Sequence, residues 1–387
     1  MENVIYMDHA ATTPTDPEVI KAMEPWFAQQ YGNPATLYSL GLVASQAVEE
    51  ARAGVAAVLG AEDAEIYFTS GGTESNNWAI KGVADAHRNK GRHLITSTIE
   101  HHAVLEPMEY LEKRGYEVTR VPVDAHGLID PESVRKAIRP DTILISIMHA
   151  NNEVGTIEPI AEIGAIAREA GVLFHTDAVQ SVGKIPVNVK ELNVDMLSLS
   201  AHKFYGPKGV GAMYLSKRVR VTPLLHGGSQ ERRRRAGTLN VPGIVGLAKA
   251  LQIAADQMEA EAARETALRD RLWRGLQERI PHIYLNGHPT KRLPNALNFR
   301  VEGIEGEAMI LCLDMNRVGV SSGSACTTGS LEPSHVLLAM GIPAEHAHGS
   351  LRITLGRANT EQDIDYVIDT FPGIVARLRE MSPVYNR

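Results

Sequence analysis

The sequence predicts an α/β protein in two parts: a larger unit built on a mainly parallel sheet covered on both faces, then a smaller α+β unit. Three observations carry this. Between residues 66 and 215, short apolar runs recur with helical segments between them, the order that buries a parallel sheet. From about Val245 the texture changes to a long, charged helical stretch, after which strands and helices interleave to the end. At 387 residues the chain also exceeds what one core of ordinary size holds.

Taken in order, Tyr6-Met-Asp-His-Ala-Ala-Thr-Thr-Pro14 reads as a short strand running into an extended arm. A helix is expected over Glu18 to Gln30, stopped by the turn residues Tyr31-Gly-Asn-Pro34. Gln46 to Leu59 sets Val48, Ala51, Val55 and Val58 on one stripe, an amphipathic helix with Gly60 as its C-cap. Ile66 to Thr69 is a strand, and Ser70-Gly-Gly-Thr-Glu-Ser-Asn77 turns it into a helix. Leu94 to Thr98, Val118 to Val123 and Thr142 to His149 are further strands, and Glu162 to Glu169 is a helix capped by Gly171. Val172 to Asp177 is a buried strand ending in an acid, and Met196 to Ser200 and Gly211 to Leu215 follow. Leu247 to Ile280 is one long helix with Leu268, Leu272 and Leu276 on its apolar side. Strands at Ala296 to Val301, Gly319 to Ser322 and Leu351 to Leu355 lead to a last helix opened by Thr360 and Asp363, a variant capping box. The expected division is a large domain over 16–257, and a small domain joining 1–15 to 258–387.

Composition narrows the function. A hydrophobic content of 44% with 22% charged residues is that of an ordinary globular enzyme, and a net charge of −7 argues against nucleic acid or an anionic membrane as partner. No apolar run approaches the roughly 20 residues that span a bilayer. The start, Met1-Glu-Asn-Val-Ile-Tyr, lacks the basic and apolar regions of a signal peptide. Two cysteines, Cys312 and Cys326, cannot build a disulfide framework, so a reducing cytoplasm is expected.

Several stretches carry chemistry. Lys203, in Ser200-Ala-His-Lys203-Phe-Tyr-Gly206, sits at the carboxyl end of a strand, where α/β sheets form ligand crevices; alone it also reads as an exposed loop lysine. Ser70-Gly-Gly-Thr73, between strand and helix, suits an anion at a helix start, or is a plain structural turn. Asp177 can hold a heterocyclic nitrogen protonated, or cap the next helix. His101 can stack on a ring or move protons, or is a hydrogen-bonded core histidine. Ser321-Ser-Gly-Ser-Ala-Cys326 is a loop of small residues around one thiol, whereas Cys312 lies in an apolar run and reads as inert. Glu231-Arg-Arg-Arg-Arg235 reads as a solvated or anion-contacting loop, and Arg352 as a carboxylate clamp or a surface ion pair.

These stretches stand in one order with Asp8-His-Ala-Ala-Thr-Thr-Pro14, Gly32-Asn-Pro34, Glu100-His101, Ala150-Asn-Asn-Glu-Val-Gly155, His175-Thr-Asp-Ala-Val-Gln180, Arg235-Ala-Gly-Thr238 and Leu331-Glu-Pro-Ser-His335. The set resembles the pyridoxal-phosphate-dependent cysteine desulfurases of the NifS/IscS type, within the class V aminotransferases of fold-type I. The resemblance implies a large domain with a mainly parallel seven-stranded sheet, and a small domain carrying the Cys326 loop. It implies pyridoxal 5′-phosphate held covalently by Lys203, with Asp177 on the ring nitrogen, Gln180 on the ring hydroxyl and His101 over the ring. Gly72, Thr73, Ser200 and His202 would hold the phosphate, and Thr238 would reach it from the other subunit of a homodimer. Asn152 would lie beside cofactor and substrate, and Asn33 and Arg352 would hold the substrate carboxylate.

The implied reaction takes L-cysteine to L-alanine. Lys203 removes the Cα proton, His101 assists, and Cys326 receives the sulfur as a persulfide. The loop around Cys326 matches the branch that delivers sulfur directly to an acceptor. The partner implied is an iron–sulfur scaffold protein or another sulfur acceptor, with Cys326 a transient ligand of the nascent cluster. A selenocysteine lyase or another class V aminotransferase would share the cofactor chemistry.

Overall fold

The computed structural model describes residues 4–322, 332–383 and 385. Its strands, in chain order, are β1 (Ile5–Tyr6), β2 (Ile66–Thr69), β3 (His93–Ser97), β4 (Glu117–Val121), β5 (Thr142–Ser146), β6 (Leu173–Asp177), β7 (Met196–Ser200), β8 (Gly211–Leu215), β9 (Ile283–Asn286), β10 (Ala296–Val301), β11 (Val318–Gly319) and β12 (Ser350–Thr354). Seven of them form one sheet in the order β2-β8-β7-β6-β5-β3-β4. The pairs from β7 through β4 are parallel, and only β8 runs against its neighbours. Strands β2, β3, β5, β7 and β8 are buried along their whole length, as the apolar runs require of a sheet covered on both faces.

One face packs on helices Ser39–Leu59 and the first half of Val241–Arg279; the other carries Gly72–His87 and His102–Glu112. A second core gathers β10, β12, helices Gly306–Met315 and Glu361–Met381, and the far half of Val241–Arg279. The N-terminal arm joins this second core: β1 pairs with β11 in parallel, and Met7 is buried there. The 39-residue helix Val241–Arg279 therefore runs from one core into the other.

Two helices differ from the sequence reading. The first breaks into Pro17–Met23 and Pro25–Ala28, because Pro25 cannot donate an N–H to the preceding turn and instead opens a new one. The next starts at Ser39, seven residues before the expected start at Gln46; its first turns leave Leu40, Leu42 and Val43 exposed, so no strong apolar stripe marks them. Among the described residues no helix is long and apolar enough to cross a membrane.

The sheet order fixes where ligand chemistry can sit. The chain leaves β3 for the edge strand β4 and returns as β5 on the other side of β3, a switch that opens a crevice at the carboxyl ends. Because β8 is antiparallel to both β2 and β7, the carboxyl end of β2 lies at that same edge.

Candidate active site

Five strands deliver residues to this edge, and those residues line one cavity of about 220 Å³: Gly72 and Thr73 after β2, His101 after β3, Asn152 after β5, Asp177 and Gln180 from β6 onward, and Ser200, His202 and Lys203 from β7 onward. Lys203 ends a single 3-10 turn, Ala201–Lys203. The N-terminal arm clasps this turn: Thr13 donates from both N–H and Oγ1 to the His202 carbonyl at 2.9 Å, and Tyr205 N–H donates back to Thr13 Oγ1 at 2.8 Å. The Lys203 Nζ donates to the carbonyls of Ala10 and Ala11 at 2.5 and 2.8 Å.

Asp177 is buried at the last position of β6. Its Oδ2 accepts from Asn76 Nδ2 at 2.6 Å and its Oδ1 from the Val179 N–H at 3.0 Å, so two donors set the plane of the carboxylate. His101 caps the helix His102–Glu112, its Nδ1 accepting the Ala103 N–H at 3.0 Å. That bond leaves the proton of the neutral ring on Nε2. Burial pushes the His101 pKa down; nearby Asp177 opposes this, and Lys203 and His102 reinforce it. The ring is thus a neutral donor from Nε2. His202 is pushed down to about 4 by burial and by Lys203, Lys208 and Lys184.

The anion end is built by close backbone approach. Gly71 has φ +151°, and a Cβ on Gly211 would lie 2.6 Å from the Gly71 Cα, so these two turns meet only as glycines. A Cβ on Gly72 would press on Val179 at 2.6 Å. Helix Gly72–His87 starts at this point, and Gly72 and Thr73 of its first turn line the cavity. Buried polar atoms without partners among the described residues, Asn152 Oδ1 and Asn76 Oδ1, remain at its wall. A carboxylate, an amide, a histidine, a lysine and a helix start with hydroxyls around one cavity fit a phosphorylated pyridine aldehyde.

The other expected residues lie elsewhere. Arg352 is buried beside the cavity, donating to the Asn152 carbonyl at 2.9 Å, but does not line it. Asn33 is exposed and accepts from the Ala35 N–H in a turn, and Thr238 is exposed; neither lines this chain's cavity. Cys326 lies outside the described residues. Among the described residues no group of three or more His, Cys, Asp or Glu side chains is placed to hold a metal.

Sequence reasoning missed Asn76, whose signal was its place three residues after Thr73 on the same helix face. It also missed that the arginine run has a buried root. Glu231 is 5% exposed and takes a two-pronged bond from Arg52, while Arg235 pairs with Glu74 in the first turn of Gly72–His87.

Comparison with known proteins agrees with this geometry. The family model described as "Aminotransferase class-V" matches residues 5–367. The chain is 57% identical over 380 residues to a cysteine desulfurase IscS of Methanosarcina thermophila, covering 98% of this chain and 94% of that protein. It is 55% identical over 383 residues to the IscS of Dictyoglomus turgidum, covering 99% and 97%. A solved NifS-like protein superposes with a TM-score of 0.92 at 41% identity, covering 97% of this chain and all of that one.

Proposed function

The chain belongs to the class V aminotransferase family and, within it, to the cysteine desulfurases, and from that premise we propose how its own residues divide the work. It is a pyridoxal-phosphate-dependent enzyme that converts L-cysteine to L-alanine and passes on the sulfur. The observation that carries the assignment of roles is the convergence of Lys203, Asp177, Gln180, His101 and the Gly72–Thr73 turn on one cavity.

Pyridoxal 5′-phosphate, when bound, supplies a carbonyl that condenses with amines and a pyridinium ring that takes up the electron pair released at Cα. Lys203 would hold it covalently and, freed when cysteine binds, would take the Cα proton at Nζ. Asp177 keeps the ring nitrogen protonated, oriented by Asn76 and the Val179 N–H. Gln180 donates to the ring oxygen. His101 would face the bound ring and offer its Nε2 proton. Gly72, Thr73, Ser200 and His202 hold the phosphate at the start of helix Gly72–His87. Asn152 and Arg352, with Asn33, hold the substrate carboxylate.

Cys326 then attacks the substrate sulfur as a thiolate. The new S–S bond forms as the C–S bond breaks, the electron pair passes to Cβ, and a proton at Cβ together with the proton returned from Lys203 Nζ to Cα gives alanine. An iron–sulfur scaffold protein is the acceptor this reading favours, the nascent cluster being cargo that Cys326 contacts in passing. The reading also includes a homodimer. Phe27, Tyr31, Leu37, Tyr38, Leu42 and Val43 form an exposed apolar run, and Thr238, exposed on its own chain, reaches the phosphate of the second copy. The small domain, 1–15 with 258–387, carries the Cys326 loop, and the cytoplasm keeps that thiol reduced.

The test is sulfide and alanine release from L-cysteine with a thiol reductant, wild type beside Cys326→Ala. Equimolar products from the wild type, lost in the variant, are expected. Equal activity in both would remove Cys326 and favour a lyase or aminotransferase.

A further inference from the structure

Lys203 also lines a second, smaller cavity of about 30 Å³. Five of the segments packed around it contribute titratable or charged groups, and the segment before β10 contributes the amide of Asn295. His9 comes from the N-terminal arm, Lys184 from the loop after β6, Lys203 and Tyr205 from the turn after β7, Glu261 and Glu265 from helix Val241–Arg279, and Arg357 from the segment after β12. Arg352 and Arg264 act on it from just outside. His9 is 2% exposed, and neither ring nitrogen has a partner among the described residues.

Lys184 is the group in this chamber tied to the cofactor side. Its Nζ donates to Gln180 Oε1 at 3.2 Å, and Gln180 Nε2 donates to the Ala10 carbonyl at 3.0 Å, the same oxygen that accepts from Lys203 Nζ. An ammonium can only donate and a carbonyl can only accept, so these two partners fix which end of the Gln180 amide is which. The remaining Nε2 hydrogen, not the carbonyl, is then left for the cavity that Gln180 lines.

We propose that Lys184 is a positioning residue of the desulfurase reaction: it fixes the Gln180 amide toward the cofactor's ring oxygen, and its charge disfavours a proton on the Lys203 nitrogen. The proposal rests on the assignment of Lys203 and Gln180 to the cofactor. Lys184 is half-buried and lines the smaller cavity. Burial first, then Lys203, pushes its pKa down to about 8, with Glu265 opposing. Glu265 is itself pushed up to about 7 by burial, opposed by Lys184. Lys184, Lys203 and Arg357 thus face two carboxyls, Glu261 and Glu265, across this cavity, and a charge on either lysine opposes one on the other.

The test uses holoenzyme of wild type, Lys184→Gln, Lys184→Met and Lys184→Arg, titrated with pH by the visible absorbance of the bound cofactor. The uncharged variants are expected to move the spectral midpoint up by about one pH unit, a tenfold change in the proton equilibrium, and to weaken cofactor retention. Lys184→Arg keeps a charge and a donor and should return the midpoint toward wild type. Midpoints equal to wild type in variants that melt normally would overturn the proposal. A melting loss without a spectral shift would reduce Lys184 to a structural part, which also overturns it. If the uncharged variants do not fold, competitive acylation of wild-type apoprotein decides: Lys203 should become reactive at lower pH than exposed Lys208, and equal midpoints refute the charge effect. A wild type with no visible band and no desulfurase activity would instead sink the functional reading itself.

Discussion

Arg352 donates from Nη2 to Asp8 Oδ1 at 2.8 Å, while its Nε, equally enclosed, has no partner among the described residues. The guanidinium is 3% exposed and lies against the Asn152 backbone at the cavity wall. A buried cation needs a counter-charge, and Asp8 supplies it from the N-terminal arm. If Arg352 holds the substrate carboxylate as proposed, that carboxylate meets an arginine already paired with Asp8, with Nε as its open donor.

Asp8→Asn keeps the shape and removes the charge. The expected result is a KM for cysteine lowered roughly three- to tenfold, and a stability loss of about 2–3 kcal/mol from the uncompensated guanidinium. Steady-state kinetics and urea denaturation read the two effects separately. A raised KM would mean that Asp8 acts with the substrate site and not against it. Arg352→Lys should raise KM by roughly 10- to 100-fold, since an ammonium cannot reproduce the planar donor set.

Asp177→Asn tests the carboxylate at the end of β6. An amide there keeps one acceptor for the Val179 N–H, and Asn76, whose Oδ1 has no partner among the described residues, can turn to accept from the new NH2. Cofactor should still bind, because the phosphate and lysine contacts are untouched, while kcat falls on the order of 10³-fold. Asn76→Ala removes one charge-assisted hydrogen bond, so kcat should fall by roughly tenfold. Single-turnover absorbance changes with cysteine report both. An Asp177→Asn enzyme of normal kcat would remove this residue from the proton inventory.

Much of this site was legible in the sequence, and the reason is geometric. Buried runs such as Met196 to Ser200 and Gly211 to Leu215 fall on observed strands residue for residue, because a strand buried on both faces takes apolar residues or small hydroxyls that find partners inside, as Ser198 does with His175. A residue just past such a strand lands at the crevice, so Asp177, His101 and Lys203 needed only the strand ends to be right. What the sequence concealed depends on distant pairing. The arm Tyr6 to Pro14 looks like a free extension, yet its Ala10 carbonyl is the anchor shared by Gln180 and Lys203. Glu231 hides in a run of arginines that reads as solvent-facing, and nothing local announces that Arg52 will meet it.

That pairing carries its own prediction. Arg52 donates from Nη1 and Nη2 to Glu231 at 2.9 and 2.7 Å, and the Phe68 N–H donates to the same carboxylate at 2.8 Å. Arg52 Nη1 also reaches the Ile66 carbonyl at 2.7 Å, so the pair ties the edge strand β2 to helix Ser39–Leu59. Glu231→Ala leaves a buried guanidinium and an orphaned backbone N–H, and should cost roughly 3–5 kcal/mol in urea denaturation. Glu231→Gln keeps the N–H acceptor and should cost less. Equal and small losses would mean that Arg52 finds solvent once released.

Glu100, beside His101, gives the pH prediction. Its Oε1 accepts from Ser97 Oγ at 2.6 Å and from the Met148 N–H at 3.0 Å, and its Oε2 has no partner among the described residues. Burial, with a smaller push from Asp177, raises its pKa from 4.5 to about 8 against the two hydrogen bonds. Between those values the folded protein holds a proton that the unfolded chain releases. The stabilisation from this group is therefore complete below about pH 4.5 and is lost as pH rises through about 8. Integrated, the loss is on the order of 4 kcal/mol. His9 and His149, both pushed down to about 4 by burial, act oppositely below pH 6.5, so the whole-protein curve mixes signs. Glu100→Gln isolates the group. The stability of wild type minus that of the variant, from urea denaturation of apoprotein, should decline steadily from pH 5 to pH 8. A difference that stays level across that range would mean Glu100 is already ionised in the folded protein, and that the space around Oε2 is wetter than its enclosure implies.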